Sequence, residues 1–291
     1  MSEMAQEPLL TLPQDQAMAR KEGHLTELIR ANVLANFAYY RRSRLLMAFL
    51  LISLLLTGLE CLPALFTNSG VQAFNTLQGI FSTLNQYLLL FAGCLGLFII
   101  SSNIRGRSLK MVFTKPCPPS VWLLSAFLSA VAVSLLLNLL VLGGAVVLSF
   151  CWHVPIRAGL VFISLDTFVA SVGIIAYLTL LASLVHPAIA VIFAVIFNAS
   201  TFYDVQFWTR SVIRAGNSSM ALRVLDKFFY YLYILLPMFH SFAKQTEGIY
   251  SSMRVMHSEW KYLPYSLGYV LALSAFCYLL ALRALQNKRY I

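Results

Sequence analysis

The stretch that decides the fold is VWLLSAFLSAVAVSLLLNLLVLGGAVVLSF, residues 121–150, which contains no Asp, Glu, Lys or Arg. About twenty apolar residues are enough for a helix to cross the ~30 Å hydrocarbon core of a bilayer. The whole chain has a similar character, because 59% of its 291 residues are hydrophobic and only 11% are charged. An ordinary soluble domain has roughly a quarter charged residues. The sequence therefore predicts an all-α integral membrane protein.

Apolar runs of comparable length recur along the chain, separated by short turns that are polar or contain proline. Each run is long enough to cross the bilayer as a helix, so about six transmembrane helices are expected. The expected spans, in chain order, cover residues 45–66, 79–100, 121–150, 160–185, 187–208 and 263–282. Residues 45–291 are therefore predicted to form one transmembrane domain.

The chain before the first span divides into two parts. Residues 1–23 are polar and mixed in charge, without the apolar segment of a signal peptide, and are expected to form a disordered cytoplasmic tail. Residues 24–44 carry apolar side chains at three- and four-residue spacing, which predicts an amphipathic helix in the headgroup plane. Arg41, Arg42 and Arg44 at its end are expected to anchor it to lipid headgroups.

The longest connection, residues 209–261, separates the fifth and sixth expected spans. It contains an aromatic-rich apolar patch, FFYYLYILLPMFHSF at 228–242, which is short for a span because Pro237 interrupts it. Aromatic side chains of this type are enriched at the depth of lipid headgroups. We therefore expect a re-entrant or interfacial element, with an additional span as the alternative.

Lys and Arg residues indicate which side of the membrane each turn occupies. The segments before the first span, after the second and after the last hold six, four and three of them, whereas the turns 67–78 and 151–159 together hold only Arg157. The positive-inside rule predicts cytoplasmic termini and an even number of spans. We expect a multi-pass protein of the plasma membrane, specifically of a bacterial inner membrane. The seven Lys and Arg residues of 209–261 oppose this topology, so an odd number of spans stays open.

Sequence signatures of catalysis are missing from the chain. It contains no GK[ST] tripeptide, H-E-x-x-H or G-x-S-x-G, and its five cysteines form no C-x-x-C pair. We therefore expect no nucleotide site, no catalytic residue and no metal site in this polypeptide, and we predict that it is not itself an enzyme. The net charge of +10 does not indicate nucleic-acid binding, because the basic residues lie beside apolar runs and suit membrane lipids instead.

Three segments together resemble one protein family. They are LIRANVLANFAYYRRSRLLMAFLLISLL at 28–55, IRGRSLKMVFTKPCPPSVWLLSAFL at 104–128 and YLLALRALQNKRYI at 278–291. A basic amphipathic helix feeding the first span, a basic loop with a proline-bounded restart and a basic C-terminal tail are similar to the ABC-2 type permease family. The strongest local match is KPCPPSVWLLSAFL at 115–128.

The resemblance implies the membrane-spanning permease of an ABC exporter that works as a homodimer, or as a dimer with a similar permease. Two copies of a separate ATPase subunit would bind ATP and magnesium and dock on the cytoplasmic side. A helix within 104–115 would couple the ATPase to the spans. The residues expected to make this contact are Arg105, Arg107, Ser108, Lys110, Met111, Thr114 and Lys115.

Polar residues inside the expected spans are candidates for a substrate path or for hydrogen bonds between helices. They are Asn85, Gln86, Asn138, Asp166 and Asn198. An alternative function is a self-sufficient secondary transporter or channel, in which an acid such as Asp166 titrates with the transported ion. A scaffold and a lipid-modifying membrane enzyme also stay open. Gly143, Gly144 and Gly173 predict places where helices approach closely.

Overall fold

The computed structural model describes residues 26–38, 40, 44–65, 70–105, 118–196, 199–214, 219–235 and 260–287. These residues are almost all helical and include no strand. The all-α prediction is thus confirmed for this part of the chain. The tail expected at 1–23 lies outside the described residues.

Nine helices make up the described part of the chain. They are α1 (26–38), α2 (Arg44–Leu65), α3 (Gly70–Arg105), α4 (Pro119–Cys151), α5 (Ala158–Leu184), α6 (Pro187–Ile196), α7 (Ala199–Arg214), α8 (Met220–Leu235) and α9 (Tyr262–Asn287).

Four of these helices are long and apolar enough to cross a membrane: α3 over Ala73–Ile100, α4, α5 and α9. They correspond to the second, third, fourth and last expected spans, so the chain has the architecture of a multi-pass membrane protein. Helix α2 is 22 residues long and covers the first expected span, and its shorter stretch Leu46–Leu59 is also apolar.

The fifth expected span, 187–208, is described on both sides of residues 197–198, which lie outside the described ranges. Helix α6 covers its first ten residues, about 15 Å, and is apolar throughout. Helix α7 covers the rest of it, is amphipathic, and carries Asp204, Arg210 and Arg214.

Helix α5 lies at the centre of the bundle, where α3, α4, α6 and α9 all pack against it. In the most apolar stretch of α5, 56% of the residues are buried inside the protein, compared with 28% in the corresponding stretch of α9. A helix that is apolar on every side suits this position because every face meets another helix or lipid. The remaining helices of the bundle are arranged around this buried span.

Contacts at the helix ends show that α5 and α9 run parallel. At the start of α5, the Phe162 ring meets the Trp260 ring, just before α9, edge to face at 5.2 Å. At the other end of the bundle, the Tyr278 hydroxyl of α9 donates a hydrogen bond to the Ser120 carbonyl at the start of α4, at 2.8 Å. The connection between α5 and α9 therefore begins on one side of the bundle and ends on the other.

Helix α1 lies on the side of the bundle where α3 ends and α4 begins. The Ser129 hydroxyl of α4 is 3.3 Å from the Val33 carbonyl of α1, and the rings of Tyr40 and Phe98 are 5.7 Å apart. We call this side the terminal face, because it holds both α1 and the end of α9. The side with the start of α3, the turn 152–157 and Trp260 is called the opposite face.

Helices α3 and α5 approach each other closely at Gly96, which the sequence did not single out. A Cβ atom on Gly96 would lie 2.7 Å from the Ile175 carbonyl oxygen and 3.1 Å from the Ile175 Cα. A Cβ atom on Gly143 or Gly144 would meet nothing within 4 Å. The expectation of close packing at Gly143 and Gly144 is therefore wrong, because that part of α4 faces outward.

Substitution of Gly96 by Ala is expected to lower the stability of the bundle by about 1–3 kcal/mol, because α3 must move away from the α5 backbone. Unfolding of the purified chain in detergent, followed by circular dichroism, measures the effect. Gly144→Ala is the matched control, and it is expected to be as stable as the wild type or slightly more stable, because Ala favours a helix and the added Cβ meets nothing within 4 Å. Equal stability of the Gly96→Ala and Gly144→Ala variants would contradict the packing described here.

Candidate functional site

Asn138 and Ser164 form a reciprocal hydrogen-bonded pair between α4 and α5. The Asn138 Nδ2 donates to the Ser164 carbonyl at 3.0 Å, and the Ser164 hydroxyl donates to the Asn138 Oδ1. Both side chains are buried. Two hydrogen bonds in an apolar interior hold the helices in one register, which is how a polar residue joins membrane helices.

The neighbouring residues Asn85 and Gln86 of α3 lie in different environments. Asn85 is buried, and its Nδ2 donates to the Phe81 carbonyl one turn earlier at 2.8 Å. Its Oδ1 is buried without a hydrogen-bond partner among the described residues. Gln86 is exposed on the surface of the bundle. The Asn85 oxygen is therefore an unused acceptor inside the described part of the protein, as are the hydroxyl oxygens of Ser53 and Ser274.

Asp166 is the single Asp, Glu, Lys or Arg residue in α4, α5 and α6. It lies nine residues beyond Arg157, which places it about 13 Å along the helix axis from the opposite face. This depth is near the middle of a ~30 Å hydrocarbon core. Asp166 is half-buried and makes no ion pair with another described residue. Intramembrane acids at such depth usually face a polar cavity or a partner.

Buried hydroxyl groups donate hydrogen bonds mainly to backbone carbonyls of their own helices. Ser129, Ser149 and Ser171 each donate to the carbonyl four residues earlier, at 2.5, 2.9 and 2.8 Å. Thr179 does the same to Ile175 at 2.7 Å and also approaches the Gly96 carbonyl at 3.3 Å. These small residues let helices pack closely without leaving polar groups unpaired.

Helices α7 and α8 form a hairpin that packs chiefly against itself. The Arg210 Nε and the Asp226 Oδ1 are 3.0 Å apart, and the rings of Phe202 and Phe229 are 6.1 Å apart. Several large aromatic side chains stay exposed on this hairpin. They are Phe207, Trp208, Phe228, Tyr230 and Tyr231. Part of the aromatic patch predicted at 228–242 therefore belongs to an amphipathic helix, while 236–242 lies outside the described residues.

Most residues expected to contact an ATPase lie outside the described part of the chain. Arg105 is the last residue of α3, and the others, Arg107, Ser108, Lys110, Met111, Thr114 and Lys115, belong to the segment 106–117. The structure does show the two helices that flank this segment. It also shows the predicted restart, since α4 begins at Pro119 and the Trp122 amide donates to the Pro118 carbonyl at 3.2 Å.

The expected membrane anchor and one residue of the expected substrate path are also largely outside the described residues. Arg44 is the first residue of α2, whereas Arg41, Arg42 and Asn198 lie outside the described ranges. The described neighbours of the arginines are consistent with an anchor, because α1 contacts α3 and α4 at the terminal face.

The sequence analysis did not identify Ser164, Thr179, Gly96 or Tyr278 as residues that hold the bundle together. Small and hydroxylated residues in apolar helices are a general signal for close packing. That signal does not say which partner each residue meets. Of the residues that make these contacts, the sequence singled out Asn138.

A scan against protein-family models found no match for this chain, and a search of curated proteins found no relative.

Replacement of Asn138 by Leu is expected to lower stability by about 1 kcal/mol, since hydrogen bonds between membrane helices contribute roughly 0.6–1.7 kcal/mol. Ser164→Ala removes only one of the two hydrogen bonds and should have a smaller effect. A double-mutant cycle measured by unfolding in detergent gives the coupling energy between the two positions. Additive effects in the cycle would show that the two side chains do not interact.

Proposed function

We propose that this chain is the transmembrane permease subunit of an ABC-2 type exporter, driven by ATP that a separate ATPase hydrolyses. The observation that carries the proposal is the basic segment 105–115, placed between the end of α3 and the proline-bounded start of α4 on the terminal face. In this role the chain binds no nucleotide of its own, and ATP and magnesium belong to two ATPase subunits.

The lengths of α3 and α4 support a docking role for this segment. Helix α3 continues for seven residues beyond Phe98, and α4 begins ten residues before Ser129, distances of about 10 and 15 Å. Phe98 and Ser129 mark the level at which α1 packs against the bundle. If α1 lies in the headgroup plane, both helix ends project beyond the hydrocarbon core and present the segment to a soluble partner.

Packing inside the bundle supports transmission of a movement from this segment to the central helix. Helix α3 meets α5 through Gly96 and Thr179, and α4 meets α5 through Asn138 and Ser164. Close backbone contact and hydrogen bonds make the three helices move together rather than slide. A push on the ends of α3 and α4 would then move α5 as part of a rigid body.

The contacts at the helix ends also support a total of six spans. Helices α3, α4, α5 and α9 provide four, and α2 is the additional span before α3. Because α5 and α9 run parallel, the chain must cross the membrane an odd number of times between them. We assign this crossing to 187–208, which is α6 together with the first part of α7, and the rest of the α7–α8 hairpin is then an interfacial element.

This topology places both chain termini on the terminal face. Basic residues before α2, after α3 and after α9 make this face cytoplasmic by the positive-inside rule, as in a bacterial inner membrane. A second copy of the chain has available surface on α2, where Leu51, Leu55 and Leu59 are exposed. Asn85, Gln86, Asp166 and Asn198 stay candidates for the substrate path of the dimer.

Reversal of one charge in the docking segment, Arg107→Glu, is expected to weaken binding of the partner ATPase at least tenfold, about 1.4 kcal/mol. A candidate ATPase subunit is purified together with this chain, and its affinity for the chain and its ATP hydrolysis are measured in detergent. Arg283→Glu is the matched control, because Arg283 is an exposed basic residue near the end of α9. Unchanged affinity in Arg107→Glu would refute docking at this segment.

A self-sufficient secondary transporter is the second candidate, and it is supported by Asp166, the isolated acid deep in α5. In that case the chain alone, in liposomes, would drive uptake from an imposed proton gradient. Asp166→Asn would abolish this uptake, while Asp204→Asn, at an exposed position on α7, would not. If the chain is an exporter subunit, the chain alone shows no gradient-driven uptake, either as the wild type or as Asp166→Asn.

A further inference from the structure

An apolar groove of about 240 Å³ lies on the outside of the bundle between α2, α3 and α4. Its floor is formed by buried side chains, among them Leu77, Phe81 and Leu137. Its rims carry exposed leucines, including Leu54 and Leu140, which are 77% and 55% exposed. The groove is therefore concave, apolar and open toward the surroundings of the bundle.

The position of the groove matches one leaflet of a bilayer. On α4 it extends from Leu137 to Leu148, a distance of about 16 Å along the helix. Half of a ~30 Å hydrocarbon core is about 15 Å. The end at Leu77 and Leu148 is toward the opposite face, since α3 starts and α4 ends there. A single acyl chain of the leaflet at this face has the length and polarity to fill it.

A positive charge lies beyond this end of the groove. The Arg157 guanidinium lies over the ring of Phe74, 4.6 Å from its centroid. Phe74 is one helical turn before Leu77, the groove residue nearest to the opposite face on α3. Arginine is well suited to hold a phosphate through charge-assisted hydrogen bonds. The charge is thus at the level of lipid headgroups, above the apolar slot.

We propose that this groove binds an anionic phospholipid of the leaflet at the opposite face, with one acyl chain between α2, α3 and α4 and its phosphate at Arg157. The proposal depends on membrane embedding and not on the exporter role. A lipid is favoured over a second copy of the chain because the groove combines the length of one leaflet with a cation at headgroup depth. Helix α2 keeps another exposed apolar surface, at Leu51, Leu55 and Leu59, for protein contacts.

Gly144 offers a way to fill the groove without disturbing the bundle. It lines the groove, and a Cβ atom added there would meet nothing within 4 Å. Gly143 is its neighbour on α4, has equally open surroundings and does not line the groove. Gly144→Leu and Gly143→Leu are thus a matched pair, of which only the first places a side chain in the acyl-chain slot. Leu140→Trp, on the rim, is a second blocking variant.

The full chain is reconstituted in vesicles of phosphatidylcholine and phosphatidylglycerol, with a trace of phosphatidylglycerol that carries a photoreactive diazirine within one acyl chain. After illumination, mass spectrometry of peptides locates the label. The expected result is labelling of the groove residues on α2, α3 and α4. Gly144→Leu and Leu140→Trp should lower this labelling about tenfold, whereas Gly143→Leu should leave it unchanged.

The contribution of the Arg157 charge is measured by repeating the labelling with a phosphatidylcholine that carries the same diazirine within one acyl chain. Wild type and Arg157→Lys are expected to favour the anionic probe, and Arg157→Gln is expected to label equally with both probes. Equal groove labelling in wild type and in both blocking variants would overturn the proposal. Cross-links from the groove to a second copy of the chain, in place of lipid, would also overturn it and would assign the groove to a protein interface.

Discussion

The constraint on which this structure depends is the absence of water as a hydrogen-bond partner in the hydrocarbon core. Every backbone polar group there must be satisfied within its own segment, which explains why the described spans are helices. The same constraint governs the side chains. Ser129, Ser149 and Thr179 donate to carbonyls of their own helices, and Asn138 pairs with Ser164 across two helices. These polar residues therefore contribute to the packing of the bundle.

Helix α5 shows how this packing connects to function. Helices α3, α4 and α9 all pack against it, and it carries the acid Asp166. The ends of α3 and α4 lead to the basic segment proposed to dock an ATPase, so the partner would act on α5 through two helices at once. In either proposed function, contacts at Gly96 and Asn138 connect α3 and α4 to the helix that carries Asp166.

The outer surfaces of the bundle differ in what they are suited to contact. The terminal face combines basic residues with helix ends that suit a soluble partner and anionic headgroups. The groove between α2, α3 and α4 suits one acyl chain, and the aromatic surface of the α7–α8 hairpin suits the interface. These differences arise from where charges and aromatics lie at helix ends, because a charge placed deeper would lose its hydration.

The sequence by itself determined that this is a helical membrane protein, because an uninterrupted apolar run such as 121–150 satisfies its backbone hydrogen bonds in a bilayer by forming a helix. It also predicted a restart after the prolines at 116–119 and the positions of α4, α5 and α9 to within five residues, although α3 starts nine residues before the expected span. It could not decide which small residues touch, so it placed close packing at Gly143 and Gly144 when the contact is at Gly96. The pairing of Asn138 with Ser164 and the parallel course of α5 and α9 were decided by the tertiary structure, because contacts between residues distant in the chain leave no periodic signal.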